Sequence, residues 1–261
     1  MPEPRLLFYS LGEGVTAFTT TRQGGFSSGC HGEFNINRHC GDSPEAAEAN
    51  LGLLAARLGI SPDSIIMPHQ THGTEIRLVT AELAALPRPT RDMALEGVDA
   101  VMTDVPGVCV GVSTADCLPV LLYDPDHRAC CAVHAGWRGT AARIVQKAVA
   151  AMAAAYGTRP ERLRAAAGPA ISIGRFEVGD EVYDAFAAAG LPMERISRRE
   201  GKWHIDLGEC NRLQLIEAGL SAQSVSVSDL CTYSHADELF SARRLGTASG
   251  RLFTGIMTDK T

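Results

Sequence analysis

Residues 114 to 134 read Thr114-Ala115-Asp116-Cys117-Leu118-Pro119-Val120-Leu121-Leu122-Tyr123-Asp124-Pro125-Asp126-His127-Arg128-Ala129-Cys130-Cys131-Ala132-Val133-His134. Two apolar runs, Leu118–Tyr123 and Ala129–His134, flank Asp124-Pro125-Asp126-His127, whose Asp-Pro pair favours a turn. The pattern predicts a β-hairpin. With the turn centred between Pro125 and Asp126, Asp124 lies opposite His127 and Cys117 opposite His134. Directly opposed residues hold their Cβ atoms ~4.5–5.5 Å apart on one face, and a one-residue slip keeps the pair diagonal. A thiol and an imidazole thus meet at the open end of one hairpin. Cys130 and Cys131, adjacent on one strand, are expected on opposite faces.

On spacing alone the pair has three readings, in this order of weight. The first is a core cysteine beside an unrelated surface histidine. The second is a metal site, since zinc takes both Cys and His and a catalytic zinc needs a third protein ligand and an open position. His69 and His72, in Met67-Pro68-His69-Gln70-Thr71-His72-Gly73-Thr74, are both candidates for that third ligand. The third is a thiol nucleophile with a histidine base. Just downstream, Ala135-Gly136-Trp137-Arg138-Gly139-Thr140 leads into a helix. Glycines before a helix start let backbone N–H groups approach an anion, and Arg138 could clamp a phosphate. A tight turn with Arg138 paired to a surface carboxylate explains the segment equally well.

Further strands are expected at Val15–Thr21, Glu75–Thr80, Val98–Thr103 and Val108–Ser113, and helices at Glu45–Leu58, Thr140–Tyr156, Val178–Ala189 and Gly208–Ala218. Ser43-Pro44 and Gly59 punctuate the first helix. The second carries Ile144, Val145, Ala148, Val149 and Met152 on one face. Leu86-Pro87-Arg88-Pro89-Thr90-Arg91-Asp92 reads as a Pro-rich loop. Strands cluster centrally without strict alternation with helices, which favours an α+β layered sandwich over a doubly wound sheet. No G-x-G-x-x-G follows a strand and no P-loop signature is present, so dinucleotide and P-loop chemistry lack support.

The chain has 261 residues, 45% hydrophobic and 21% charged, which suits a globular chain with a full core. A single domain spanning 1–261 fits this length. The net charge of −6, without a basic stripe, argues against nucleic acid as a partner. No segment approaches the ~18 apolar residues of a membrane helix, and the N-terminal residues do not look like a signal peptide. The 8 cysteines show no Cys-x-x-Cys spacing, and are read as reduced thiols of a cytoplasmic protein.

Several motifs occur together in order: Thr20-Thr21-Arg22-Gln23-Gly24-Gly25-Phe26-Ser27, His69-Gln70-Thr71-His72-Gly73, Thr114 to Pro119, His134 to Gly139, Gly168-Pro169-Ala170-Ile171, Phe176-Glu177-Val178, Trp203-His204-Ile205-Asp206-Leu207 and Cys231-Thr232-Tyr233. From about Thr20 to the C-terminus the chain resembles the YfiH family, also called the laccase-domain or multicopper polyphenol oxidoreductase family. The resemblance implies a YfiH-like α+β sandwich and a metal site of His72, Cys117 and His134, thereby choosing His72 over His69. It also implies phosphorolysis of adenosine, inosine, guanosine and 5′-methylthioadenosine, and deamination of adenosine. The small-molecule partners are then purine nucleosides and phosphate. Where many members carry Asn this chain has His69, and where many carry Cys it has Ser234.

A three-ligand zinc leaves a position for water and lowers its pKa towards about 7, which suits deamination. Asp116 and His69 are the candidates for moving the proton, although Asp116 serves equally as a strand-end hydrogen-bond acceptor. Phosphorolysis needs a held phosphate, for which Arg22, with Gly24 and Gly25, and Arg138 are the candidates. Gln23, Asn35, Asn37, Arg243 and Arg244 lie in polar motifs without an assigned role. Copper is possible at the same ligands, because it outcompetes zinc for N/S donors. A copper-dependent polyphenol oxidase is therefore one alternative, although 8 His and no His-x-His pair argue against a multinuclear laccase cluster. A Cys–His amidase acting on peptidoglycan precursors is the other, and zinc on Cys117 would block it. A closed structural zinc site would need a fourth ligand, such as His69.

Overall fold

The computed structural model describes residues 2–260. The Leu118–Asp124 and Ala129–Ala135 strands pair antiparallel, as the apolar runs predict. They lie inside a six-stranded mixed sheet, in the order Val225–Val227, Arg164–Ala167, Leu118–Asp124, Ala129–Ala135, Ala100–Thr103 and Ile76–Leu78. Alternation along the hairpin sends Leu121, Tyr123, Cys130 and Ala132 to one side and Val120, Leu122, Cys131 and Val133 to the other. Cys130 and Cys131 therefore do face opposite ways, and both are fully buried.

The first set packs on Val110, Val112 and Ile256 of a five-stranded sheet, ordered Leu6–Tyr9, Val15–Thr20, Leu252–Thr258, Cys109–Thr114 and Ile65–Ile66. The second set packs under the Ile144–Tyr156 and Leu207–Glu217 helices. The Pro44–Leu58 helix covers the outer face of the five-stranded sheet through Leu51, Leu54 and Ala55. The order is helix, sheet, sheet, helices: an α+β layered sandwich of mixed sheets, as the pattern of elements implies. A small antiparallel sheet (Glu177–Val178, Lys202–Ile205, Ser197–Glu200) lies apart from the two larger ones. Among the described residues no helix is long and apolar enough to cross a membrane.

Three local expectations need correction. The hairpin loop has four residues, 125–128, so Asp124 pairs with Ala129 and His134 with Pro119. The cause is the buried Asp124 carboxylate, which accepts from Asp126 N at 2.9 Å, His127 N at 3.3 Å, His127 Nδ1 at 2.8 Å and Thr158 Oγ1 at 2.5 Å. These donors stabilise a wider turn than a two-residue one. Secondly, the helix expected over 140–156 is two helices, Trp137–Ala141 and Ile144–Tyr156, broken where Arg143 takes φ 61°. Arg143 turns its guanidinium to Glu217, at 2.8 Å, on the neighbouring helix. Its successor buries Ile144, Val145, Ala148, Val149 and Met152, the face read from the sequence.

Thirdly, the Pro-rich stretch is largely a helix, Arg88–Ala94. Pro89 sits in the first turn, where no N–H is needed. Arg91 is buried and donates to the carbonyls of Asp63 and Ala84. The edge strand Leu6–Tyr9 and the central strand Leu252–Thr258 had no sequence-based expectation.

Candidate metal centre

Three side chains come together where the hairpin opens. One ring nitrogen each from His72 and His134 and the Cys117 sulfur all lie within 4.8 Å of one another. His134 is the penultimate residue of a central strand and is buried, Cys117 is half-buried and His72 is exposed, so the cluster is enclosed on one side and open on the other. The two imidazoles meet edge to face with centroids 4.8 Å apart. Cys117 is not a ladder residue: Asp116, before it, takes φ 89° and ends the pairing. The thiol thus reaches the imidazole across the mouth of the hairpin.

His72 also has a left-handed backbone, φ 64°. For residues other than glycine such conformations cost of order 1–3 kcal/mol and persist only where the surroundings impose them. Asp99 does so at His72. Its fully buried carboxylate accepts from His72 N at 3.0 Å, Gly73 N at 2.6 Å and Thr71 N at 3.3 Å. The same carboxylate lies 2.7 Å from His134 Nδ1, and the Asp99 carbonyl accepts from His134 N at 2.8 Å. One aspartate therefore fixes the turn of one candidate ligand and the ring of another, leaving His134 Nε2 for the cluster. Carboxylates behind metal-bound histidines act in this way. Sequence reasoning missed Asp99; its one signal was a lone acid entering the apolar run Val98-Asp99-Ala100-Val101.

Charge follows geometry. Burial works against ionising Asp99, but the hydrogen bonds from His134, Gly73 and Thr71 hold its carboxyl below the usual range. Burial likewise raises the Cys117 thiol, yet the His134 charge and hydrogen bonds to His134 and His72 outweigh it and bring it to about 6. For His134 burial lowers the pKa, while the Cys117 thiolate and Asp99 raise it to about 9.

The donor set suits a metal ion. Thiolate and two imidazoles are zinc or copper ligands. Gly136 adds an independent sign: a Cβ there would lie 3.0 Å from Cys117 Sγ and 3.2 Å from His72 Cδ2. The chain keeps this face of the cluster clear although Gly136, at φ −67°, has a backbone that any residue adopts.

The remaining candidates sit elsewhere. Both Asp116 oxygens are engaged, one by Thr232 Oγ1 at 2.6 Å and one by Arg243 N at 2.7 Å. This is the acceptor arrangement expected as its alternative. His69 Nδ1 lies 2.8 Å from Glu96 and its ring stacks on His39 with centroids 4.1 Å apart, outside the cluster. Arg22 donates to the Ala236 carbonyl and covers the Phe240 ring. Arg138 is exposed, lies 4.2 Å over the Trp137 ring and has no carboxylate partner among the described residues.

Comparison with known proteins identifies the family of the chain and of its fold. The chain is 45% identical over 249 residues to a purine nucleoside phosphorylase of Bacteroides thetaiotaomicron, covering 94% of this chain and 92% of that one. It is 41% identical over 248 residues to adenosine deaminase RL5 of an unknown prokaryotic organism, covering 94% of each. Among solved structures, the Bacillus licheniformis hypothetical protein YfiH superposes with a TM-score of 0.91 at 31% identity, covering 99% of this chain and 97% of that one. YlmD of Geobacillus stearothermophilus gives 0.90 at 32%, covering 97% and 94%. Residues 16–259 match the family model described as multi-copper polyphenol oxidoreductase laccase, and the chain belongs to that family.

Proposed function

We propose that the protein is a purine nucleoside phosphorylase, acting on adenosine, inosine, guanosine and 5′-methylthioadenosine, that also deaminates adenosine, with His72, Cys117 and His134 holding one metal ion. The observation that carries this reading is the open His72–Cys117–His134 cluster braced by Asp99, in a chain whose relatives are named for these two activities. A zinc ion there would supply a Lewis acid and lower the pKa of water. The exposed side at His72 admits the nucleoside, while buried His134 and Asp99 keep the opposite side dry.

Arg138 is the phosphate-binding side chain in this reading, because its guanidinium is exposed and meets no carboxylate among the described residues. The Trp137 ring beneath it sets its direction. Arg22 contributes by fixing the 236–240 segment rather than by touching phosphate. Asp116 positions Cys117, since both of its oxygens are occupied. His69, whose Nδ1 is backed by Glu96, is the proton carrier.

The test is chromatography of products from adenosine, with and without phosphate, using protein of measured metal content beside Cys117→Ala. Free adenine only with phosphate, and inosine without it, both lost in the variant, are the expected results. Neither product from protein carrying one zinc would overturn the proposal.

One observation favours a second reading. Cys117, His134 and Asp99 form a thiol–imidazole–carboxylate series, with the thiol pKa brought down to about 6. Without metal this is the arrangement of a nucleophilic cysteine with its base and orienting acid, which suits the amidase alternative. Metal stoichiometry separates the two, because a metal-bound thiolate is unavailable for attack.

A further inference from the structure

We propose that the exposed face formed by Arg175, Arg243 and Arg244 around the rings of Tyr233 and Phe176 binds a linear oligophosphate, either a free inorganic chain or the phosphate tail of a nucleotide. Three segments distant in sequence are locked together there. Ser172 N and Oγ donate to Cys231 Sγ at 3.3 and 3.1 Å, and Thr232 N donates to the Ala170 carbonyl at 3.0 Å, tying the 170–176 stretch to the 231–235 turn. The Asp116 carboxylate brings in the third segment, accepting from Thr232 Oγ1 at 2.6 Å and from Arg243 N at 2.7 Å. Arg244 Nη1 donates to the Tyr233 carbonyl at 2.7 Å and closes the set.

On this frame the cations converge. Arg175 Cζ lies 5.4 Å and Arg244 Cζ 5.5 Å from the centroid of the same Tyr233 ring, and Arg243 Cζ lies 5.7 Å from that of Phe176. One guanidinium over one ring is an ordinary surface contact, worth ~0.5–1 kcal/mol when exposed. Two on one ring bring like charges together, and all three arginines are exposed. Among the described residues none of the three guanidiniums has a carboxylate oxygen within 4.0 Å. Neighbouring cations are treated differently: Arg195 pairs with Glu209 at 2.9 Å, Arg198 with Glu200 at 3.3 Å and Lys202 with Glu177 at 2.7 Å. Glu177 meets Arg243 only through its backbone carbonyl, at 3.0 Å from Nη1. In a chain of net charge −6, the fold thus leaves this one group of arginines without counter-charge.

Chemistry and spacing select the ligand. Guanidinium forks match phosphate oxygens and stay charged at any ordinary pH. Arg243 and Arg244 each spend one nitrogen on a carbonyl, which aims the fork and leaves further N–H groups to donate. The donors are spread over two rings, so an anion with charge along a chain meets all three, whereas a single orthophosphate does not. Arg138, over the Trp137 ring, is not part of this face. The face therefore stands apart from the phosphate of the proposed reaction.

Isothermal titration of the full-length, metal-analysed chain with tripolyphosphate, at constant ionic strength, tests this without turnover. Saturable binding is expected, weakened about tenfold in Arg175→Gln and in Arg244→Gln by loss of charge-assisted hydrogen bonds. Arg199→Gln, which removes an equal charge from the Trp203 ring nearby, should leave it unchanged, as should Arg138→Ala and Cys117→Ala. Orthophosphate and an oligoglutamate peptide should each bind at least tenfold more weakly. UTP binding as tightly as tripolyphosphate assigns the face to the phosphate chain alone, and tighter UTP binding assigns it to a nucleotide; both sustain the proposal. No saturable binding, binding indifferent to Arg175→Gln and Arg244→Gln in folded variants, or an equal loss in Arg199→Gln would overturn it. So would equal binding of orthophosphate or oligoglutamate, and so would loss in Cys117→Ala or Arg138→Ala, which would move the ligand to the metal or to the proposed reaction site. Binding that survives those two variants is independent of whether the enzyme reading holds.

Discussion

The two ends of the Leu118–Ala135 hairpin carry nearly the same device and use it differently. At the closed end the fully buried Asp124 lies 2.8 Å from His127 Nδ1 and gathers the turn's backbone N–H groups. At the open end the fully buried Asp99 lies 2.7 Å from His134 Nδ1 and gathers the N–H groups of 71–73. Both carboxyls are held below the usual range, against the opposing effect of burial. The difference lies in the far side of each imidazole. His127 is 40% exposed, whereas His134 turns towards a thiol and a second histidine kept clear by Gly136. A buried aspartate–histidine pair is therefore not in itself a reactive centre; what the second ring nitrogen meets decides.

The largest expected contrast comes from the ligand itself. Cys117→Ala should abolish stoichiometric metal binding and both nucleoside activities, measured by metal analysis and chromatography, with a melting temperature close to that of the metal-free parent. Asp99→Asn should come next, because it unlocks His134 and the His72 turn together. Metal affinity is expected to fall about 10–100-fold by competition with a chelator. Asp124→Asn, the same change at the other end, should leave metal affinity untouched and cost about 1–3 kcal/mol of folding stability. Equal effects of the two variants on metal affinity would erase the contrast.

How much of this was legible in the sequence follows the range of the forces involved. Apolar alternation gave the hairpin and the opposite facing of Cys130 and Cys131, because local periodicity is set by burial. The register was not legible: Asp124 widens the turn through Thr158, which lies far along the chain, and Asp116 ends the ladder through Thr232 and Arg243. Asp99 was hidden for the same reason, since its four donors come from residues 26 or more positions away. The broken helix at Arg143 answers to Glu217, and the 88–94 helix to the burial of Arg91. The choice of His72 over His69 came from family resemblance, not from spacing.

Smaller effects sharpen the contrast further. Arg138→Ala should raise the phosphate KM about tenfold while changing the nucleoside KM far less, read from steady-state kinetics with each substrate varied. A parallel rise in both would remove Arg138 from the phosphate. The smallest effect is in acid. Since the folded pKa of Asp124 is depressed, its contribution is complete above the ordinary aspartate range and is lost as pH falls through the folded value. Melting curves of wild type and Asp124→Asn should therefore differ by a constant amount near neutrality and converge only in strong acid.

X-ray absorption at the zinc edge, on protein loaded with one equivalent of zinc, tests the central claim most directly. The account predicts one sulfur ligand at about 2.3 Å and two nitrogens at about 2.0–2.1 Å, with the sulfur shell absent in Cys117→Ala. A zinc without sulfur, or one closed by a fourth protein ligand, would contradict it.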